Sequence, residues 1–315
     1  MQPALAKAIQ IARTKRVLPT ALSSREILEA FDLGVLDRSI FSARTTHAGY
    51  LKLLQVTMQQ VLAGKDAAGN AFGIPEARLR LTYALAALGY DSEKGAFGLP
   101  EDATVPPALR GTLEDLGSRR RLNYVLEMQE AILTNAARRS SELEPDRVKQ
   151  FPAWQLVRVG SVDTPRGFER GKSGALVPVP QDAWQARWEA AGGPAAGKQA
   201  LIAYKWDPIW RNLGDPELYR DGLGTQHPPY AHGSKKGWRE VPLSVAEPTL
   251  GKPNWPAEFT AEDRADIPPA ATSLRSLPAN VQAELVRDLK AHEAKNGTLT
   301  LDDILKRELA RRNAA

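Results

Sequence analysis

Apolar residues recur at helical spacing through the first half of the chain. In "LAKAIQIARTKRV" (5–17), Leu5, Ile9 and Ala12 fall on one face. "SSREILEAF" (23–31) opens with Ser23 three residues before Glu26, the arrangement in which each side chain satisfies the other's free backbone N–H. Tyr50, Leu54, Met58, Val61 and Leu62 mark a helix that Gly64 should end. Pro75 suits a first helical turn, and Leu81, Leu85 and Leu88 carry that helix toward Gly89. The clearest helix is "RRLNYVLEMQEAILTNAARR" (120–139), with Leu122, Val125, Leu126, Gln129, Ile132, Leu133 and Ala136 on one stripe. Stripes of this kind face a core.

The pattern changes near residue 150. "WQLVRV" (154–159) and "ALIAYKW" (200–206) read as strands, and between them "DAWQARWEAA" (182–191) sets Trp184 and Trp188 four apart on one helix face. Asp207 and Pro208 suit the cap and first turn of a short helix carrying Trp210. All seven tryptophans lie between 154 and 255, which predicts a separate aromatic core. From 242 to 278 the chain is rich in proline (Pro242, Pro248, Pro253, Pro256, Pro268, Pro269, Pro278), so an extended surface strap is expected there and no helix. Val281, Leu285 and Leu289, then Leu301, Ile304, Leu305 and Leu309, predict two closing helices. The expected fold class is α+β: a mainly α-helical domain over 1–150, a small Trp-rich α+β domain over 151–245, and an arm over 246–315 made of a Pro-rich strap and a terminal helical hairpin.

Composition narrows the chemistry. A chain of 315 residues that is 43% hydrophobic and 25% charged buries a large core without covalent staples. It has no cysteine, which excludes disulfides, thiolate zinc sites, iron–sulfur clusters and Cys nucleophiles together. No stretch approaches the ~18 apolar residues that span a bilayer, and the basic N-terminus reads as an amphipathic helix rather than a signal peptide, so no membrane partner is expected. The net charge is +5, but the cations are scattered apart from "SRRR" (118–121). Scattered cations release few counterions together, so weak contact with DNA is expected rather than a dedicated DNA-binding domain.

The densest polar segment is "DGLGTQHPPYAHGSKKGW" (221–238). His227 and His232 are five apart and miss the spacing that sets two metal ligands on one helix face; a third ligand would have to come from Asp215, Glu217, Asp221 or Glu240. The simpler reading is a stiffened loop in which Pro228 and Pro229 rigidify a turn, Tyr230 packs and the histidines bond to backbone. The loop motif is then His227, Pro228, Pro229, Tyr230, His232, Gly233 and Trp238, with Arg44, His47 and Arg239 as candidate polar partners. No phosphate loop, nucleophile motif or cofactor motif accompanies it, so no metal, cofactor or catalytic residue is assigned. The alternative is a hydrolytic or nucleic-acid-processing enzyme with its site in 221–241, where His227, Tyr230, His232 and Lys235 would act if Arg44 or Arg239 converged on them.

Six phrases in order carry a resemblance: "FSARTTHAGYLKLLQ" (41–55), "LGYDSEKG" (88–95), "DLGSRRRLNYVLEMQ" (115–129), "FPAWQLVRV" (151–159), "ALIAYKWDPIWRNLG" (200–214) and "DGLGTQHPPYAHGSKKGWREV" (221–241). Together they resemble the minor head, or head-morphogenesis, proteins of tailed phages and prophages, the kind named after phage Mu protein F. That resemblance implies a helical N-terminal half before a small α+β domain ending in a His-Pro motif, here His227, Pro228 and Pro229. Where the family typically pairs this motif with Cys-Arg-Cys-type residues, this chain has "AHGSKKGW", so a thiolate metal site is lost. The implied role is structural: a bacteriophage virion or capsid-assembly component near the portal. Its partners would be other virion proteins (portal, capsid or neck) in a larger symmetric assembly. Its location would be the virion, and the host cytoplasm during assembly.

Overall fold

The computed structural model describes residues 3–20, 22–31, 36, 39–45, 47–88, 90, 107–160, 168–170, 175–178, 184–193 and 201–256. The chain is a mixed α+β protein, and backbone contacts divide it into two compact units at Leu133–Thr134. The division falls inside a long helix rather than at 150, because the last turns of that helix bond to the strands that follow it.

The first unit is built from helices α1 (Pro3–Thr14), α2 (Ser24–Ala30), α3 (Ala48–Ala63), α4 (Ile74–Ala87) and the first half of α5 (Arg119–Glu142). Their ends follow local chemistry. Ser23 and Glu26 form the reciprocal cap of α2, with Ser23 N–H donating to Glu26 Oε2 at 2.7 Å. Gly64 ends α3 in the left-handed region at φ 68. Pro75 lies in the first turn of α4, and Gly73 N–H donates to Glu76 Oε2 at 2.9 Å. Two short parallel strands, β1 (Arg16–Val17) and β2 (Ser39–Ile40), pair Arg16 with Ser39 and Val17 with Ile40.

One tie is long-range. Gln55, fully buried on α3, donates its amide to the carbonyls of Ala12 at 2.7 Å and Lys15 at 2.6 Å. These carbonyls lie at the C-terminal end of α1, where no later helical N–H can reach them, so the Gln55 side chain replaces the missing turn.

The second unit holds the end of α5, α6 (Pro145–Gln150) and a three-stranded antiparallel sheet in the order β6-β3-β7: β3 is Ala153–Arg158, β6 is Ile202–Tyr204 and β7 is Lys236–Val241. A separate hairpin pairs β4 (Phe168–Arg170) with β5 (Leu176–Pro178). Helices α7 (Trp184–Ala190) and α8 (Ile209–Asn212) bring Trp184, Trp188 and Trp210 into the core beside the sheet residues Trp154, Leu156 and Trp238. Asp207 Oδ1 accepts from Ile209 N–H at 2.9 Å and opens α8 as its spacing predicts.

The expected strap is corrected at its start. Residues Leu243–Leu250 form a helix, α9, with Pro248 inside it. Pro248 leaves the Ser244 carbonyl without its helical donor, but both residues are exposed, so the carbonyl is open to solvent and the cost of the lost bond is small. On the opposite face buried Ala246 and half-buried Leu250 pack against Ala153, Ile202 and Val241, and this packing holds the helix together. The expected terminal hairpin lies outside the described residues. Among the described residues, no helix is long and apolar enough to cross a membrane.

Candidate functional site

The segment singled out by its sequence folds as a loop whose side chains enter the second core. β3 and β7 pair Trp154 with Glu240 and Leu156 with Trp238, so Trp154 and Trp238 are diagonal neighbours on one sheet face. Their rings stack with centroids 4.0 Å apart and planes 3° from parallel. Trp210 meets both edge-on, at 5.6 Å and 5.9 Å, and Trp188 meets Trp210 at 5.5 Å. Four indoles thus fill one core, each contact adding roughly 0.5–1.5 kcal/mol beyond its buried area.

The loop is closed by its own backbone. Gly224 N–H donates to Gly214 O at 2.7 Å, Leu223 N–H donates to Tyr230 O at 3.1 Å, and Gly222 bridges to Ala231. Gly214 is required by this approach: a Cβ there would lie 2.3 Å from the Thr225 carbonyl oxygen, which cannot move without opening the loop. The Thr225 hydroxyl donates to Pro229 O at 2.9 Å across the cis Pro228–Pro229 bond.

This placement separates the two histidines. His227 is 3% exposed, and its Nδ1 lies 2.9 Å from the Pro228 carbonyl; that oxygen only accepts, so Nδ1 carries the proton in this contact. His232 is exposed on the following turn, next to Gly233 at φ 64. Tyr230 and Trp238 are buried with Pro228 and Pro229. Of the seven loop-motif residues, only His232 and Gly233 face solvent. No group of three His, Cys, Asp or Glu among the described residues is placed to hold a metal ion.

The candidate polar partners have local work. Arg239 donates to Gln155 Oε1 at 2.6 Å on the exposed side of the sheet. Arg44 and His47 belong to the first unit: Arg44 pairs with Glu114 at 2.5 Å, and His47 Nδ1 accepts from Tyr50 N–H at 3.1 Å as the cap of α3.

A charged network was not anticipated from the sequence. Lys205, just past β6, has a side chain with no solvent exposure; its Nζ donates to the Glu142 carbonyl at 2.6 Å and to Glu240 Oε1 at 2.8 Å. Glu240 also takes a forked bond from Arg147. Glu142 accepts from Arg138 Nε at 2.5 Å and from Trp154 Nε1 at 2.6 Å. The network fastens the end of α5 and the start of α6 to β3, to β7 and to the residue that follows β6. Burial pushes the Lys205 ammonium down from its usual range, against the pull of Glu240. Burial likewise raises Glu142, opposed by Arg138. Burial also works on Glu240, but the bonds from Arg147 and Lys205 outweigh it and hold this carboxyl below its usual range. The one sequence signal was a lysine inside the apolar run "ALIAYKW".

A second buried cation, Arg187 on α7, donates to the Leu213 carbonyl at 2.6 Å and pairs with Asp221 at 2.7 Å, its guanidinium 3.9 Å from the Tyr219 ring centroid. It pins the start of the loop to the helix that carries Trp184 and Trp188.

No known protein family, curated protein or solved structure matches the chain.

Proposed function

We propose that this chain is a structural or head-morphogenesis protein of a tailed phage, of the minor head kind. It would act through protein–protein contacts at the head or the head–tail connection. The observation that carries this reading is where the six ordered phrases lie in the fold. Those at 151–159, 200–214 and 221–241 contain β3, β6 and β7, the three strands of one sheet, together with Trp154, Trp210 and Trp238 of its core. In the first unit those at 41–55 and 115–129 meet, and Tyr90 of the phrase at 88–95 joins them. Arg121 donates to Ser42 Oγ at 3.0 Å and to the Ala43 carbonyl at 2.9 Å, and the Tyr90 hydroxyl donates to Asp115 at 2.6 Å. The described parts of these phrases therefore contribute packing and hydrogen bonds within each unit, which suits a structural role.

Several polar residues of the 221–241 segment fit the same reading, since Thr225 and His227 bond to carbonyls within the loop and Arg239 bonds to Gln155 on the neighbouring strand. A modest net charge of +5 without dense clustering tolerates packaged DNA nearby without binding it tightly. The test is genetic. A nonsense mutation in the gene should abolish DNA-filled heads in electron micrographs of the lysate, and a copy carrying His227→Ala and His232→Ala should restore them. Normal particles from the nonsense mutant, or failure of a folded double variant to complement, would overturn the proposal.

A further inference from the structure

The sheet face that carries the aromatic core ends in two cations. On that face β3 and β7 set Trp154 opposite Glu240, Leu156 opposite Trp238 and, on the last rung, Arg158 opposite Lys236. Directly opposed residues of an antiparallel pair stand about 5 Å apart at their Cβ atoms, and like charges in that position repel. Arg158 is exposed and Lys236 is half-buried. The Lys236 ammonium lies 5.6 Å from the centroid of the buried Trp184 ring. Past the rung, Val159 N–H donates to the Lys235 carbonyl at 3.0 Å, so the ladder continues beyond the two cations and holds their backbones in register.

The other buried cations of this unit are matched. Arg187, whose guanidinium also lies over the Trp184 ring at 5.1 Å, pairs with Asp221 at 2.7 Å. Lys205 pairs with Glu240 at 2.8 Å. The Arg158–Lys236 rung has no such match: burial and the Arg158 charge act on the Lys236 ammonium in the same direction, and no carboxylate among the described residues opposes them.

We propose that Arg158 and Lys236 together bind a phosphate oxyanion at the open end of this sheet face. A guanidinium presents a planar fork of N–H donors and an ammonium a point charge, so the pair serves three oxygens of one tetrahedral anion. A carboxylate has two oxygens; it fills the fork and leaves the ammonium unmet. Held between the two side chains, a phosphate turns a repulsive rung into charge-assisted contacts on both sides. The half-buried ammonium gains the more, since its charge is less screened than one in bulk water. Such a phosphate has two sources, the backbone of a nucleic acid and the free ion, which share this chemistry. The inference rests on the geometry of the rung and stands apart from the function proposed above.

The experiment follows the Lys236 side chain by NMR in the full chain carrying isotope-labelled lysine, as sodium phosphate replaces sodium chloride at constant ionic strength and pH. The Lys236 resonance should shift and saturate at millimolar phosphate. Arg158→Gln, an exposed change, should weaken that binding by roughly tenfold or more, whereas Lys252→Gln, exposed elsewhere in the same unit, should leave it unchanged. A Lys236→Gln chain, followed by equilibrium dialysis of labelled phosphate, should lose binding as well. A resonance that fails to saturate at tens of millimolar overturns the proposal, as does binding that survives Arg158→Gln or Lys236→Gln. A short DNA duplex then separates the sources. Displacement of phosphate by the duplex assigns the site to a nucleic-acid backbone, and phosphate that stays bound assigns it to the free ion.

Discussion

Replacing Lys205 with methionine probes the buried network that joins helix α5 to the sheet. At 2.8 Å the attraction between Lys205 and Glu240 is about 6 kcal/mol at an effective dielectric of ~20. Desolvating the two ions costs several kcal/mol each, so the intact pair contributes little net stability. Removing one partner differs, because the other groups stay buried. Breaking a buried pair costs roughly 3–5 kcal/mol when a charge is stranded. Here Glu240 keeps the forked bond from Arg147, which places the loss at the low end, and the stranded Glu142 carbonyl adds about 1 kcal/mol. Lys205→Met should therefore destabilise the second unit by about 3–4 kcal/mol, and a Lys205→Met/Glu240→Met double variant should lose at least ~1 kcal/mol less than the sum of the singles. Tryptophan fluorescence during urea unfolding reports on this unit alone, since all seven indoles lie between 154 and 255. A single variant within about 0.5 kcal/mol of the parent, or additive singles, would refute the reasoning.

Three further outcomes follow from the same geometry. His227→Ala should destabilise the fold by about 1–3 kcal/mol, because it opens a cavity and leaves the Pro228 carbonyl unbonded, while exposed His232→Ala should be nearly silent in the same urea titration. Gly214→Ala should disrupt the loop through its backbone clash, read as early proteolysis within 214–235, whereas Gly160→Ala, whose Cβ would meet only the flexible Lys235 side chain at 3.4 Å, should leave the cleavage pattern unchanged. Lys236 is half-buried beside Arg158, and burial, reinforced by that cation, brings its ammonium down to about 8 from an ordinary 10.5. Between those values the unfolded chain binds a proton that the folded one does not, so this residue makes stability rise with pH across the window, and Lys236→Met should flatten the rise in pH-dependent urea midpoints.

Features fixed by neighbours in sequence were legible before the fold was known. The Ser23–Glu26 cap, the Gly64 stop, Pro75 in the first turn of α4 and the Asp207 cap each depend on residues within three positions, and each is formed. The tryptophan window likewise marked a real core: five of the seven rings, Trp154, Trp184, Trp188, Trp210 and Trp238, are buried in one cluster. What stayed hidden is long-range. Gln55 bonds to Ala12, 43 residues away, and Lys205 to Glu240, 35 residues away, so neither partner could be read from local spacing. Pro248 argued against a helix by a rule that is sound for a buried backbone. Its exposed position let packing of Ala246 and Leu250 outweigh the single lost bond. The 221–238 loop gathers histidine, tyrosine and glycine, which serve packing and chemistry alike, so its sequence favoured a stiffened loop while leaving an enzymatic alternative open. The glycines at 214 and 222 serve close backbone approach, and His227 and Tyr230 serve the core.

The central claim is that the chain is a component of an assembling phage head. Quantitative mass spectrometry of gradient-purified, DNA-filled particles from the source organism's lysate tests it most directly. The account predicts the chain in those particles at a fixed, small copy number relative to the portal. Absence from mature particles and from assembly intermediates alike would contradict it.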